Sequence, residues 1–430
     1  IAEGRGISSS VTVVPVQEGT ADRGEGLHAF TIQPPGLPLL YAAVGVENRA
    51  PLHTALNLAS LVLLGWAVWR LGRRWLDEVP AALAAALTAA SPVVLVTAGN
   101  MWTDLPFAAL TLASVWCVVR SAEAGRGLPW LAAGAALAGL ATAFRYPGLG
   151  LGLIFVVDCV LAWRRWGPRA AGVRLAVSLG VFAVLTVPLL ARNVALAGSW
   201  TGTAPRDWPR APEVDLPRGW AFLGSRLMQV FVPGFFAGAA NDWLVQANRS
   251  ATGWWMPHLA GPALAAAGAA WAFFRRRAGR PVGLDPGVAV ILAAAAGYLV
   301  VIFAGAARHE EVHVVEFRYL APVAPFLFLG MAALVGRIPP PALRFGIAAV
   351  LVAVFLAGAF VLPRPVAGDH GFLRDGLNWL AANVPAEQAV LTNGGKVLLE
   401  EDLSRRVSHL SVWHHRHLLP DAYRDEDGLN

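Results

Sequence analysis

Residues 52–74 read LHTALNLASLVLLGWAVWRLGRR, an apolar stretch that closes with three arginines. A helix of about 20 mostly apolar residues is long enough to cross the hydrocarbon core of a bilayer. The same arrangement, an apolar run of roughly that length beside a short basic turn, recurs along most of the chain. It predicts an all-α polytopic integral membrane protein.

Ten apolar segments come close to the crossing length or reach it. They are residues 52–71, 81–97, 105–119, 131–144, 149–163, 173–191, 257–274, 287–304, 320–335 and 345–362. The segments 131–144 and 149–163 are short for two full crossings, and a single re-entrant element in their place would leave the order of sides unchanged. Because the first loop is assigned outside without an apolar entry of its own, we expect one more transmembrane helix upstream of Ile1.

The basic turns fix an orientation. Residues 70–74, 120–126, 164–169, 275–280 and 337–344 carry the arginines, and they alternate with loops rich in Trp, Pro and Asp. Basic loops face the cytoplasm by the positive-inside rule. The predicted organisation is therefore a first extracytoplasmic loop (1–51), six crossings (52–191), a large extracytoplasmic loop (192–256), four crossings (257–362) and the start of a small extracytoplasmic α/β segment (363–430).

Composition excludes a soluble protein and argues against a nucleic-acid partner. Hydrophobic residues make up 56% of the 430 residues and charged residues 14%, and the mean hydropathy is +0.53. The sequence pI is about 10.0, but the arginines are spread over membrane-proximal turns instead of one face, which topology explains. Cys117 and Cys159 lie inside apolar segments, which predicts core residues and not a disulfide or a metal pair.

Two candidate features precede helices on the predicted outer face. Gln33 is followed by a proline pair and then by the apolar residues 39–41. Closely spaced prolines predict a juxtamembrane turn in the interface in place of a regular helix, and an ordinary linker remains the alternative. Asp104 lies at a predicted helix mouth, where it is either a functional acid or the N-cap of the next helix.

Three arginines on the predicted outer face need a partner, because the rule for short loops places few arginines there. Arg145, Arg192 and Arg318 each lie at the mouth of a crossing. A lipid phosphate matches the fork of a guanidinium. The alternatives are an arginine that reaches nonspecifically to headgroups and a salt bridge within the protein, for instance from Arg318 to Glu316 or Asp104.

Two further outer segments carry side chains that bind ligands in other proteins. The large loop contains Trp200, Trp208, Trp220, Trp243, Trp254 and Trp255, which offer platforms for sugars but would also form an interfacial belt. Residues 309–313 contain two His and two Glu. Their spacing matches no strong zinc pattern, so a solvated loop is the better interpretation and no metal site is predicted.

The outer motifs occur in a characteristic order. They are EGRG at 3–6, QPPG at 33–36, TDLP at 103–106, FRYPG at 144–148, ARN at 191–193 and RYL at 318–320. This order resembles the polyprenyl-phosphate-dependent glycosyltransferases of the GT-C fold, the superfamily of the protein O-mannosyltransferases and the aminoarabinose transferases of lipid A. The resemblance covers nearly the whole chain.

The resemblance implies transfer of a sugar from a polyprenyl-phosphate carrier to a lipid, glycan or protein acceptor at the outer face of the cell membrane. It assigns the stabilisation of the lipid phosphate to Arg145, Arg192 and Arg318. Asp104 is the catalytic candidate, either as a ligand of a divalent cation, the one cofactor considered, or as a group that orients the substrate.

The resemblance also places substrate contacts at Gln33 and Tyr146. Gln33 stands where many relatives have His or Lys. The family's first-loop catalytic acid is expected upstream of Ile1. Glu3, Asp22 and Glu25 remain in the first loop, but none is where that acid is expected.

Two other classes of function stay open from the residues. A transporter or flippase would place ionisable groups and broken helices near the middle of the bilayer. Here Asp158 is the main charge inside a helix, and the two halves show no similarity. A membrane subunit without catalytic activity is the third class.

Overall fold

The computed structural model describes residues 8–9, 28–29, 34–44, 49–98, 103–123, 127–197, 200, 285–308, 317–338, 340–361, 390–392 and 407–409. These residues are mostly helical. The helices are α1 (Gly36–Val44), α2 (Arg49–Gly72), α3 (Glu78–Ala90), α4 (Pro92–Ala98), α5 (Asp104–Glu123), α6 (Leu128–Phe144), α7 (Gly152–Trp166), α8 (Pro168–Ala197), α9 (Pro286–Arg308), α10 (Ala324–Val335) and α11 (Pro341–Val361). Two 3-10 turns, Tyr146–Leu151 and Phe317–Leu320, precede α7 and α10.

Four stretches in the described part of the chain are long and apolar enough to cross a membrane. They are Pro51–Gly72, Asp104–Glu123, Tyr146–Trp166 and Pro168–Ala195. Shorter apolar helices accompany them at Glu78–Ala90, Leu128–Phe144, Pro286–Ile302, Ala324–Val335 and Pro341–Ala357. The helical architecture predicted from the sequence is therefore found. The count of ten crossings stays a prediction, and the predicted crossing 257–274 and most of the large loop lie outside the described residues.

The predicted segment 81–97 is two helices and not one. α3 ends at Ala90, Ser91 is extended with φ −69° and ψ 141°, and α4 begins at Pro92. The proline is the cause, because its ring disfavours helical backbone in the residue before it. α4 is consequently a short element of seven residues that leads to the loop before Asp104.

The expectation of a turn after Gln33 was wrong, since residues 36–44 form α1. Pro34 and Pro35 lie ahead of this helix and Pro38 lies in its first turn. A first-turn N–H has no partner within the helix, so a proline there costs no hydrogen bond. Gln33 itself lies outside the described residues.

The short pair 131–144 and 149–163 corresponds to two separate helices, α6 and α7, joined by the first 3-10 turn. α7 and α8 are then connected by Gly167 alone, whose φ is +83°. Residues that carry a side chain rarely adopt this backbone conformation. Glycine is therefore the favoured residue in so short a connection.

α5 is the central helix, and it packs against α2, α6 and α9. Within its apolar window 78% of the residues are buried, against 33% for α2 and 28% for α8. The outer helices instead expose large apolar side chains such as Val62 and Val184, each 72% exposed. An apolar surface of this kind suits contact with lipid tails.

The two ends of the bundle differ in charge. At one end Arg74 bonds to Glu123 and Arg344 to Asp77, so that α2, α5, α3 and the start of α11 are joined by ion pairs. We call this the basic end, because the described arginine-rich turns lie there. The opposite end carries the start of α5, the end of α6 and the end of α8, and we call it the site end.

A buried ion pair links α7 to α8 nearer the basic end. Arg174 donates from Nε and Nη2 to Asp158 at 2.9 and 2.8 Å, and the two side chains are 3% and 4% exposed. Arg174 Nη2 also donates to Ser121 Oγ at 2.5 Å. The pair therefore fastens α7 and α8 to the central helix.

The described strands are short. Ser8–Ser9 (β1) pairs antiparallel with His28–Ala29 (β2), and Val390–Thr392 (β3) pairs parallel with Val407–His409 (β4). Residues 389–392 are an apolar run ahead of Asn393, Gly394 and Gly395, which predicts a strand and a turn, and residues 372–383 have a helix-like pattern. β3 lies on the apolar run. The helix-like stretch 372–383 lies outside the described residues, so the C-terminal α/β segment stays a prediction.

Candidate functional site

An ion pair between Asp104 and Arg145 lies at the centre of the site end. Asp104 is the first residue of α5 and Arg145 directly follows α6. Arg145 Nη1 donates to Asp104 Oδ1. The Asp104 side chain is 2% exposed and that of Arg145 is 16% exposed. The carboxylate is thus enclosed, while the Arg145 side chain remains partly accessible.

Two tyrosines complete the surroundings of Arg145. Its guanidinium carbon lies 4.4 Å from the centre of the Tyr319 ring, a cation–π distance. Tyr298 of α9 donates its hydroxyl to the Tyr319 carbonyl at 2.6 Å and is 1% exposed. Sequence reasoning missed Tyr298, although a tyrosine within an otherwise apolar helix is a usable signal.

These neighbours stabilise the positive charge of Arg145. Burial by itself lowers the pKa of the guanidinium, because it disfavours the charged form. The Asp104 carboxylate, Tyr298 and Tyr319 act in the opposite direction and outweigh burial, so the pKa of Arg145 is raised above its ordinary value. Arg145 remains a fixed positive charge.

A close backbone approach holds the turn after Arg145 against α9. A Cβ atom added to Gly150 would collide with the carbonyl of Gly297, and one added to Gly297 would collide with the carbonyl of Gly150. Neither position has room for a side chain. Because Tyr298 follows Gly297 directly, this contact brings Tyr298 towards Arg145.

A second polar cluster, next to the first, joins Tyr146 to the end of α8. Asn193 is fully buried and donates from Nδ2 to the Tyr146 hydroxyl at 2.8 Å and to the Trp200 carbonyl at 3.1 Å. Arg192 Nη1 donates to Asn193 Oδ1 at 3.4 Å. Asn193 belongs to the ARN motif at 191–193. Its position as the link between Tyr146 and Arg192 is evident only from the fold.

The structure brings four predicted site residues to the same end of the bundle: Asp104, Arg145, Tyr146 and Arg192. Arg318 belongs to the turn that carries Tyr319, but its side chain lies outside the described residues. For Asp104 the sequence leaves open a functional acid, an N-cap and a salt bridge with Arg318. The structure shows a salt bridge within the protein, and its arginine is Arg145.

The arrangement suits an anion better than a metal ion. A guanidinium against the Asp104 carboxylate opposes a divalent cation at the same oxygen atoms. Among the described residues, no group of three or more His, Cys, Asp or Glu side chains could hold a metal ion, and residues 309–313 lie outside them. The Arg145 guanidinium, in contrast, can donate to phosphate oxygens.

The chain is similar to known proteins in part of its sequence and in its structure. Residues 40–191 match the sequence model of the dolichyl-phosphate-mannose-protein mannosyltransferase family. Two crystal structures of ArnT from Cupriavidus metallidurans, in the apo state and bound to undecaprenyl phosphate, are each 19% identical with a TM-score of 0.46. Each match covers 88% of this chain, with 75% and 76% of the respective ArnT chains. No curated protein sequence matches the chain.

The matched segment contains α2 to α7 and most of α8. It therefore includes Asp104, Arg145 and Tyr146, while Arg192 follows its last residue. The resemblance to the polyprenyl-phosphate-dependent glycosyltransferases of the GT-C fold is confirmed by this family match over residues 40–191.

Proposed function

We propose that this chain is a membrane glycosyltransferase that moves a sugar from a polyprenyl-phosphate carrier to a lipid, glycan or protein acceptor at the extracytoplasmic face of the cell membrane. The family match over residues 40–191 supports the reaction class. The separation of the basic end from the site end supports the side, because basic turns favour the cytoplasm.

The observation that carries the proposal is the setting of Arg145. One nitrogen of its guanidinium is held by Asp104, its face rests on Tyr319, and the Arg145 side chain is 16% exposed. A pre-oriented arginine of this kind binds phosphate with two parallel hydrogen bonds and little loss of side-chain freedom. Arg192, close to Tyr146, and Arg318, beside Tyr319, are proposed to bind the same phosphate.

In the proposed reaction an oxygen or nitrogen of the acceptor attacks the anomeric carbon of the donor sugar. The bond from that carbon to the phosphate oxygen breaks, and the phosphate keeps the electron pair. The arginines stabilise the developing negative charge. Because Asp104 is enclosed and contacts Arg145, we give it the role of orienting Arg145, and we place the base that accepts the acceptor proton outside the described residues.

Two measurements on the full chain in nanodiscs test the proposal. Sugar release from a panel of undecaprenyl-phosphate-linked sugars, with membrane extracts as acceptor source, should be detectable for the wild type. Undecaprenyl phosphate alone should bind saturably, and Arg145→Ala should abolish most of this binding. The control Arg120→Ala changes an arginine that is 51% exposed at the basic end, and it should bind as the wild type does. Equal binding by both variants would contradict the proposal.

The structure accounts for the one residue in the sequence that favours a transporter. The helix interiors are nearly free of charge, which argues against a transport path, and Asp158 is the main exception. Asp158 is paired with Arg174 through two hydrogen bonds, and both side chains are below 5% exposed. A charge that is neutralised and enclosed in this way is typical of a structural pair and not of a residue that lines a transport path.

A further inference from the structure

The buried face of α2 changes character along the helix. Towards the basic end its buried residues are apolar: Leu64, Ala67, Val68 and Leu71. Towards the site end they are polar: His53, Asn57 and Ser60. His53 and Asn57 are 3% and 5% exposed. Polar residues in a membrane helix are costly to bury, so their bonds indicate what they do.

Asn57 holds the end of α4. Its Nδ2 donates to the carbonyl of Ala98 at 2.9 Å, across 41 residues of sequence. Ala98 is the last residue of α4, and a carbonyl in the last turn of a helix has no partner within that helix. The Asn57 side chain therefore caps α4 and ties it to α2.

α4 in turn supports both neighbours of Arg145. The chain runs from Ala98 through residues 99–103 into α5, whose first residue is Asp104. α4 also packs against the 3-10 turn Phe317–Leu320, which presents Tyr319 to the guanidinium. A shift of α4 would move the carboxylate and the aromatic face together.

His53 holds the other side of the site through α1. His53 Nδ1 and the Tyr41 hydroxyl share a hydrogen bond of 2.8 Å. At the opposite end of α1, a Cβ atom on Gly36 would lie only 2.5 Å from the carbonyl of Ala143, two residues before Arg145. α1 is thus fixed to α2 by a hydrogen bond and lies directly on the end of α6.

We propose, resting on the proposed function, that His53 and Asn57 are positioning residues for the donor-phosphate site. Asn57 sets the place of Asp104 and Tyr319 through α4, and His53 sets the place of Arg145 through α1. Neither side chain contacts the substrate. Both act through the geometry of the Asp104–Arg145 pair.

The first test uses Asn57→Leu, which keeps the volume and removes the amide donor. In nanodiscs we expect normal accumulation, a rise of about tenfold in the donor KM and a smaller change in kcat, because a misplaced guanidinium binds phosphate poorly. Asn57→Gln, which keeps an amide donor, should recover part of the loss. The matched control is Thr88→Val, since it removes a buried 2.8 Å hydrogen bond to Ala84 within α3 and should leave the donor KM unchanged.

A double-mutant cycle asks whether Asn57 acts through the ion pair. Once Asp104→Asn has removed the carboxylate, Asn57→Leu should add less than a threefold further rise in KM, because coupled residues are not additive. Effects that multiply fully would overturn the proposal. Tyr41→Phe is the milder variant for the His53 side, and it should raise the donor KM severalfold without loss of protein.

A measurement without any donor separates this proposal from the proposed function. Amide hydrogen exchange in the full chain should be faster in Asn57→Leu than in the wild type at the start of α5 and around Arg145, but not in the second half of α2. Thr88→Val should show no such change. Unchanged exchange at α5 and Arg145 would overturn the positioning role. A wild-type chain that neither binds undecaprenyl phosphate nor releases sugar would overturn the proposed function alone.

Discussion

The Arg145 guanidinium depends on two neighbours of different chemistry. Asp104 supplies charge and direction, and the Tyr319 ring supplies a flat surface of partial negative charge. A lysine would keep the charge but lose the planar fork that both contacts use. Together the two contacts stabilise an arginine whose side chain is only 16% exposed.

Replacement of Arg145 by Lys should therefore be costly. We expect Arg145→Lys to weaken undecaprenyl phosphate binding on the order of tenfold, and Arg145→Ala to reduce sugar transfer on the order of 100-fold or more. Equilibrium binding and initial rates in nanodiscs measure the two effects. If Arg145→Lys binds as tightly as the wild type, the arginine acts as a simple charge and the fork geometry is irrelevant.

Asp104→Asn distinguishes a positioning role from a catalytic one. Asparagine keeps the shape of aspartate and an oxygen that can accept from Arg145, so the variant should accumulate normally. If Asp104 orients Arg145, the donor KM should rise while kcat changes less. A base would behave differently, because its loss lowers kcat by about 100-fold or more with KM nearly constant. Asp77→Asn, an 82% exposed partner of Arg344 at the basic end, is the control.

At this scale the sequence indicates candidate residues but not their contacts. Charge and polarity are rare near apolar segments, which makes Asp104, Arg145, Tyr146 and Arg192 candidates. Asp104 and Arg145 are 41 residues apart, and their contact arises because α5 and α6 pack side by side. A helix boundary can be predicted from local residues, whereas a pair of this kind depends on the whole bundle.

One 3-10 turn and one helix beside the site meet without intervening side chains. The turn Tyr146–Leu151 crosses α9 at Gly150 and Gly297, where each backbone carbonyl occupies the space of the other residue's Cβ atom. Such a crossing sets the separation of the two elements by backbone contact alone. Any side chain at either position forces the elements apart.

Gly297→Ala and Gly150→Ala should consequently destabilise the bundle. Overpacking of a tight core costs about 1–3 kcal/mol, and the displacement of Tyr298 should also weaken undecaprenyl phosphate binding. Gly330→Ala in α10 and Gly346→Ala in α11 are matched controls, because a Cβ atom there meets nothing within 4 Å. They should be neutral or stabilising by about 0.5–1 kcal/mol. Thermal unfolding in detergent measures all four, and equal melting temperatures would refute the close crossing.

Element boundaries followed the sequence where local chemistry decided them. α2, α5, α8, α9 and α11 overlap their predicted segments closely. The break at Ser91 was signalled by the proline that follows, and the helix at residues 36–44 was missed because prolines before a helix and in its first turn are compatible with it. The packing of α4 beneath Asp104 and Tyr319 had no local signal.

The topology of the whole chain predicts the side of the membrane on which each end of α8 lies. Gly167 and Trp200 flank the 30-residue helix α8, at the basic end and the site end respectively. In a chain with Cys117 and Cys159 replaced by alanine, Trp200→Cys should react with an impermeant thiol reagent added outside cells. Arg169→Cys, at an exposed position in the first turn of α8, should react only after permeabilisation. Reaction of both from the same side would mean that α8 does not cross the membrane.

The Asp158–Arg174 pair has a consequence for the biosynthesis of the chain. α7 leaves the ribosome before α8, so Asp158 reaches the translocon while Arg174, 16 residues later, is still inside the exit tunnel. A lone carboxylate in the middle of an inserting helix costs on the order of 2.5–3.5 kcal/mol. Insertion of α7 and α8 as one hairpin, turned at Gly167, neutralises the aspartate before it meets lipid. A nascent chain that stops just after Gly167 should therefore hold α7 at the translocon and release it only when α8 arrives.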